Sequence, residues 1–294
     1  MDSDILQSYK KAGSIAKQCL EFGKSLIKNG ANVVQVLDKI ESKIVELGGK
    51  PAFPAQIALN DTAAHFCPEP DDPLIFDGQL VCLDIGVHVD GYVGDTALTV
   101  DLSGNNTDLV KASREALDAA LELVTPGIKL SAIGKAIEDT IVGFGFQPVR
   151  NLSGHGLGQF NVHTHPTIPN FDTKDSQTLE KGQVIAIEPF ATNGIGLIHE
   201  KGSPTLFSMT GRKPVRIGFV RDILKEIDTC HNLPFTKRWL TKKFSSAQVD
   251  FALKQFDQLG LIHAYPPLVE LQNGLVSQAE HSVLVDDEVI VLTK

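Results

Sequence analysis

"LVCLDIGVHVDGYVGDTALTV", residues 80–100, is two nearly apolar runs joined at Asp90-Gly91. Asp-Gly is a favoured pair for a two-residue hairpin loop, because both positions tolerate positive φ. Centring a hairpin there fixes the register: Asp84 opposes Ala97 and Asp95 opposes Gly86. Opposed residues share a face, as do residues two apart, so Asp84 and Asp95 project on one side as diagonal neighbours, about 7 Å apart. A carboxylate inside a sheet costs several kcal/mol unless a positive partner meets it. The stretch therefore predicts a hairpin and demands a cation.

Outward from the hairpin, the chain reads as a repeated plan. Ser3 is placed to cap a helix that runs to "KNG", with Gly30 as its left-handed stop. Val33, Val36, Leu37, Ile40, Ile44 and Leu47 mark the apolar face of a second helix ended by Gly48-Gly49. A loop, "GGKPAFPAQIALNDTAAHFCPEPDD", leads into the hairpin. The following hundred residues repeat the order. One helix near 107–124 is closed by "TPG", and another runs from Ser131 into the glycines of "VGFGF". Strands and loops follow through "NLSGHGLG" and "GQVIAIEPFAT". From 214 to 267 the pattern changes to amphipathic helices, "RDILKEIDTCHNLPFTKRWL" and "SSAQVDFALKQFDQLGLI", the second with Ser246 as its cap. Strands resume in "GLVSQAEHSVLVDDEVIVLT". The fold class expected is α+β: a main domain in two pieces, 1–213 and 268–294, with a helical subdomain, 214–267, inserted between them.

Bulk properties exclude several functions. A composition of 42% hydrophobic and 21% charged residues is that of an ordinary globular protein. A net charge of -9 argues against non-specific nucleic-acid binding as the main task. "MDSDILQSYKKAG" has no apolar core of a secretory signal, and no apolar run approaches the roughly 18 residues of a membrane span. Cys19, Cys67, Cys82 and Cys230 form no CxxC pair and are expected as reduced, buried thiols in a cytoplasmic protein.

Two further strands carry a solitary carboxylate, Glu188 in "VIAIEPF" and Glu280 in "LVSQAEHSVLV", and His155 lies in "SGHGLG". Oxygen ligands with one nitrogen and no sulfur suit divalent Mn, Fe, Co or Zn. Four carboxylates are more than one ion needs, and two ions roughly 3.5–4 Å apart would use them well. The opposing reading is that each aspartate is salt-bridged or at an edge, Glu280 pairs with an arginine, His281 faces the surface and His155 is a satisfied loop residue. From residue chemistry alone the two readings stand about even.

The stretches "GGKPAFPAQIALNDTAAH", "LDIGVHVDGYVGDTALTV", "NLSGH", "VIAIEPFAT", "PFTKRWL" and "AEHSVLV" occur together, in order, across essentially the whole chain. In this set the chain resembles the type 2 methionine aminopeptidases, in the short form found in archaea. The resemblance implies the pita-bread (creatinase/aminopeptidase-like) fold, two related α/β halves around a dinuclear centre, with a winged-helix-like insertion. It implies that Asp84 ligates one ion, His155 and Glu188 the other, and that Asp95 and Glu280 bridge both. It implies two divalent ions per chain, Co, Mn, Fe or Zn. Glu188 would also shuttle the proton. His65, in "TAAH", would sit beside the scissile amide. His163, in "NVHTHP", would touch the substrate carbonyl; it is preferred over His165 by its eight-residue step from His155. Phe53, in "PAFP", would wall the methionine side-chain pocket, or else belong to the core.

The activity so implied is metal-dependent removal of the N-terminal methionine from nascent proteins whose second residue is small. The expected protein is cytoplasmic and monomeric, with nascent polypeptide N-termini as partners and neither a membrane nor a specific nucleic acid. Two alternatives stand beside it. One is an X-Pro dipeptidase-like hydrolase, whose relatives usually carry a further N-terminal domain and lack this insertion. The other is a non-catalytic ribosome- or RNA-binding protein on the same fold, using the basic "TKRWLTKKF" with the chain's only tryptophan. The bland reading of that segment is a wall of the substrate cleft with a solvated charged face.

Overall fold

The structure, a computed structural model, describes residues 1–294. Its first half is built on the hairpin. Strands Leu80–Val89 and Tyr92–Asp101 pair in the register centred on Asp90-Gly91, with Asp84 opposite Ala97 and Asp95 opposite Gly86. Both turn residues have positive φ, 53° and 88°. The other edge of Leu80–Val89 pairs with two short strands, Lys50–Pro51 and Gln56–Leu59. Helices α1 (Ser3–Leu26) and α2 (Val33–Glu46) cover this sheet with Ile15, Cys19, Leu37, Ile40 and Ile44, packed on Ile57, Leu83 and Ile85.

The cap of α1 differs from expectation: Asp2, in extended conformation, accepts a hydrogen bond from the Asp4 amide, and Ser3 is already helical. The helix also stops at Leu26, before the turn in which Gly30 has φ 86°. The charged Asp2 side chain reaches a free amide and favours the positive helix end.

The second half repeats the layering. Helices α3 (Thr107–Leu123) and α4 (Leu130–Gly143) cover an antiparallel sheet ordered Ile290–Val291, His281–Leu284, Val184–Ile187, Ser153–Gly158 and Asn161–Pro169. Leu117, Ile133, Ile137, Ile185, Ile187 and Val283 fill the core between them.

Glu188 and Glu280 are not inside strands, as the sequence suggested. Each falls at a break. Val184–Ile187 pairs with His281–Leu284 in this sheet, and Phe190–Thr192 pairs with Val276–Gln278 in a separate one. The register is the same on both sides of the break, which sets Glu188 opposite Glu280. At the break the chain turns its hydrogen bonds to the first hairpin: the Glu280 amide donates to the Ala97 carbonyl and Thr96 Oγ1 donates to the Glu280 carbonyl. Ser282 Oγ likewise accepts from the Asp95 amide and donates to its carbonyl, and Thr99 Oγ1 donates to the Gln278 carbonyl. Side-chain hydroxyls thus join the two halves along the segments that carry the carboxylates.

A third layer lies between the two pieces of the main domain. Strand Leu206–Met209 pairs with Phe235–Thr236 and Ile262–Tyr265, and helices α5 (Gly218–Asp228), α6 (Lys237–Leu240) and α7 (Ser246–Gln258) pack on this small sheet around Phe207, Val220, Ile223, Phe235, Val249 and Phe256. We propose 214–267 as its helical part; Leu206–Met209 precedes that boundary yet pairs only with strands of this layer. The cap of α7 is Ser245 rather than Ser246, in a reciprocal capping box with Gln248. No helix is long and apolar enough to cross a membrane. Cys19, Cys67 and Cys82 are buried, whereas Cys230 is half-buried.

Helix α1 lies flush on the hairpin because two glycines meet there. A Cβ on Gly94 would stand 2.6 Å from the Gly13 nitrogen, and one on Gly13 would stand 2.2 Å from the Leu292 carbonyl oxygen. Gly94→Ala should therefore lift the helix and cost about 1–3 kcal/mol in urea unfolding. An unchanged midpoint would show that this contact is loose.

Candidate metal centre

Between the halves lies a cavity of about 240 Å³ lined by all eight residues singled out in the sequence: Asp84, Asp95, His155, Glu188, Glu280, His65, His163 and Phe53. Asp95 and Glu280 are 2% and 1% exposed; Asp84, His155 and Glu188 are half-buried against the cavity they line. One ligand atom each from Asp95, His155 and Glu280 lie within 4.8 Å of one another, and Glu188 Oε1 is 3.4 Å from His155 Nε2.

The decisive point is what these carboxylates lack. Asp84 Oδ1, Asp95 Oδ1 and Glu280 Oε2 are buried oxygens without a hydrogen-bond partner. Orphaned buried acceptors are rare in folded proteins. No arginine or lysine pairs with them; Arg114 contacts His281 Nε2 at 3.1 Å. His281 itself is buried, its Nδ1 2.9 Å from Thr293 Oγ1, and not at the surface. The salt-bridge reading of these acids is thereby overturned.

Burial raises the acids' proton affinity throughout. Asp84 is pushed up to about 7 by desolvation. Asp95 is pushed well above the carboxylate range by desolvation and then by Asp84 and Glu188. Desolvation and then Asp84 raise Glu188, and desolvation and then Asp95, Glu188 and Asp84 raise Glu280. His155 is lowered to about 3, by desolvation and by His163, so it is neutral and supplies no charge. Its Nδ1 faces the Gly156 carbonyl at 3.2 Å and so carries the ring proton, leaving the Nε2 lone pair free. Orphaned carboxylate oxygens, a free imidazole nitrogen and no sulfur make a donor set that fits divalent Mn, Fe, Co or Zn.

The remaining residues frame this centre. His65 sits at positive φ, 61°, its amide held by Gln56 Oε1 at 2.8 Å, and its ring stands edge-on to Tyr265. A bulky residue in the left-handed region is strained, and such strain gathers at functional sites. Burial lowers His65 to about 4. His163 lies at an exposed strand position, its ring 4.3 Å from that of His155, while His165 lines a separate shallow groove with it. Phe53 is buried and joins Val162, Phe190, Leu206, Pro234, Tyr265 and Leu268 in an apolar wall.

Sequence reading missed Gln278, whose Nε2 donates to Glu188 Oε2 at 3.0 Å and whose Oε1 faces Cys82 Sγ. Its two-residue step before Glu280 was the available signal. Pro234 opens the quoted "PFTKRWL" stretch, whereas Leu206 and Tyr265 gave no signal, since they are ordinary strand residues of the inserted layer.

Comparison with known proteins meets this geometry. Residues 7–220 match Metallopeptidase family M24. The chain belongs to that family. It is 46% identical over 289 residues to a methionine aminopeptidase of Archaeoglobus fulgidus, covering 98% of this chain and 97% of that one. It is 44% identical over 293 residues to one of Thermococcus onnurineus, covering 99% of each. Among solved structures, a methionine aminopeptidase of Thermotoga maritima superposes with a TM-score of 0.74 at 21% identity, over 100% of this chain and 98% of that one. A prolidase of Pyrococcus furiosus gives 0.65 at 19% identity, over 100% of this chain but 64% of its own. These structures share the pita-bread fold with this M24 hydrolase. Its curated relatives mark it as an aminopeptidase that removes N-terminal methionine.

Carboxyls with raised pKa bind more protons in the native than in the unfolded state, so metal-free protein should lose stability as pH rises. Below about 6.5 the buried histidines, held below their ordinary values, oppose this loss; above it they are neutral in both states and the loss from the acids stands alone, through 7 where Asp84 titrates. Thermal melts between pH 7 and 8.5 test this; a melting temperature that climbs across that range contradicts the assignment. Cobalt or manganese added at pH 7.5 should raise the melting temperature and release protons on binding.

Proposed function

We propose that this enzyme hydrolyses the first peptide bond of nascent polypeptides that begin with methionine followed by a small residue, with two divalent ions as cofactors. The observation that carries the reading is the group of partnerless carboxylate oxygens at one side of a cavity whose other side is apolar. Ions held by Asp84, Asp95, His155, Glu188 and Glu280 would supply Lewis acidity and a water deprotonated near neutral pH.

The chain's own groups do the rest. The apolar wall of Phe53, Val162, Phe190, Leu206 and Tyr265 takes the methionine side chain. Glu188, its Oε2 held by Gln278, receives a proton from the attacking water on its carboxylate and returns it to the departing amine. His163 donates to the carbonyl oxygen as negative charge develops there. His65, fixed by its strained backbone and by Tyr265, orients the amide nitrogen. Burial holds His65 near 4, and desolvation beside the cavity shifts His163 downward from its ordinary value, so both favour the neutral ring that donates without adding charge. We place the enzyme in the cytoplasm, as a monomer acting on nascent chain ends.

The RNA- or ribosome-binding alternative leans on "TKRWLTKKF", yet its cations are engaged within the chain. Lys237 pairs with Glu69 and Asp250, Arg238 and Lys242 with Asp38, and Lys243 with Glu226. Little free positive surface is left for a phosphate backbone.

Purified protein should release methionine from Met-Ala-Ser far faster than it cleaves Met-Pro, and a chelator should stop the reaction. Preference for Met-Pro would transfer the site to the dipeptidase reading. Glu188→Ala should lower kcat by about 10²–10⁴. His163→Ala should lower kcat by on the order of 10², with metal content unchanged by elemental analysis. Normal turnover in either variant refutes its role.

A further inference from the structure

One carboxylate outside the metal centre ties together two separate stretches of chain that line the cavity. Glu41, on α2, is 6% exposed. Its Oε1 accepts from Arg238 Nη2 at 2.6 Å and from the Ala55 amide at 3.3 Å. Its Oε2 accepts from Arg238 Nη1 at 2.9 Å and from Trp239 Nε1 at 2.8 Å. Arg238, 2% exposed, also reaches Asp38, which Lys242 holds from outside.

The two ends of this clamp lead to different stretches of the cavity lining. Ala55 lies between Phe53 and Gln56, which line it, and Gln56 holds the His65 amide. Arg238 and Trp239 follow strand Phe235–Thr236, which is preceded by Pro234 and pairs with Leu206; Leu206 in turn pairs with Tyr265. Pro234, Leu206 and Tyr265 all line the cavity. No residue of the clamp does so. The Phe53–Gln56 stretch and the Leu206–Tyr265 stretch of the lining are therefore joined by one buried, doubly bonded ion pair in addition to the apolar contact of Leu206 and Tyr265 with the core around Ala55 and Ile57. Fork-to-carboxylate pairing fixes distance and angle together.

We propose that Glu41 and Arg238 are positioning residues that set the width of the pocket for the first side chain of the peptide, and so govern which N-terminal residue is accepted. This rests on the aminopeptidase reading above. The clamp acts on side-chain selectivity and substrate affinity. It leaves the metal ligands and the proton-transfer groups where they are.

The test is steady-state cleavage of Met-Ala-Ser and of its leucine- and phenylalanine-started analogues by wild type, Glu41→Gln and Arg238→Lys, with metal content measured for each. Removing the charge or the fork should reduce the methionine-over-leucine ratio of kcat/KM by about tenfold, as expected when one side of a buried pair is lost. Most of the change should appear in KM for the methionyl peptide, and the metal content should match wild type. Where Glu41→Gln does not fold, Asp38→Ala and Trp239→Phe each remove one bond of the clamp from its more open side. Each should shift the ratio the same way by about twofold to fivefold. A ratio held at the wild-type value in folded variants, or a fall in kcat with unchanged KM, overturns the clamp. Wild type that leaves Met-Ala-Ser intact overturns the aminopeptidase reading, and the clamp with it.

Discussion

The structure depends on one electrostatic constraint: four carboxylates share a buried space with no protein cation among them. Desolvation pushes all four toward the protonated form, and repulsion from neighbouring carboxylates adds to it at Asp95, Glu188 and Glu280. A fold that gathered them for stability alone would have supplied an arginine. This one supplies rigid backbone. Asp84 and Asp95 are held as diagonal neighbours by the longest hairpin in the molecule, and Glu188 and Glu280 face one another where a ladder breaks. Serine and threonine hydroxyls then fasten the break to the hairpin, so the carboxylates cannot relax apart. The cost of the arrangement is met by the doubled core of helix pairs over sheets.

The breaks have a consequence for chemistry. Within a continuous ladder, Glu188 and Glu280 would have side chains fixed by the pleat. At a break, the freed backbone groups of the Glu280 segment bond across to Thr96 and Ala97, which draws that carboxylate toward Asp95. Glu188 instead keeps a side-chain partner, Gln278. Of the four acids, it is the one whose orientation is set by a neutral donor, and such a donor steadies a group that must take up and give back a proton.

Legibility followed the period of the structure. The hairpin register was readable because a two-residue Asp-Gly loop leaves one pairing, and the paired helices because their apolar faces recur at helical spacing between capping and stop residues. The eight residues singled out beforehand, all of which line the cavity, stood out as misfits in apolar runs or within recognisable stretches. Helix caps were misplaced by one residue at Ser3 and Ser246, since adjacent Asp2 and Ser245 offer equal chemistry and only backbone conformation chooses. The ladder break at Glu188 and Glu280 was invisible because "VIAIEPF" and "LVSQAEHSVLV" carry strand composition on both sides of it. The walls at Leu206 and Tyr265 were hidden for a different reason: they become walls only when the inserted layer docks, through contacts some two hundred residues away in sequence between Arg238 and Glu41.

The chain thus meets the expense of buried charge in two opposite ways. At Glu41 the carboxylate is answered on both oxygens by a guanidinium, an indole and an amide. Nothing remains for a ligand there, and the group can only hold its surroundings in place. At Asp95 and Glu280 the amide and hydroxyl bonds go to the backbone, and a carboxylate oxygen of each is left without a partner. Satisfied charge makes a fixed wall, and unsatisfied charge makes a site for cations. Placing the first beside the second gives a cavity whose apolar side has a set width and whose polar side awaits a ligand, which is what recognition of one terminal side chain next to a hydrolytic centre requires.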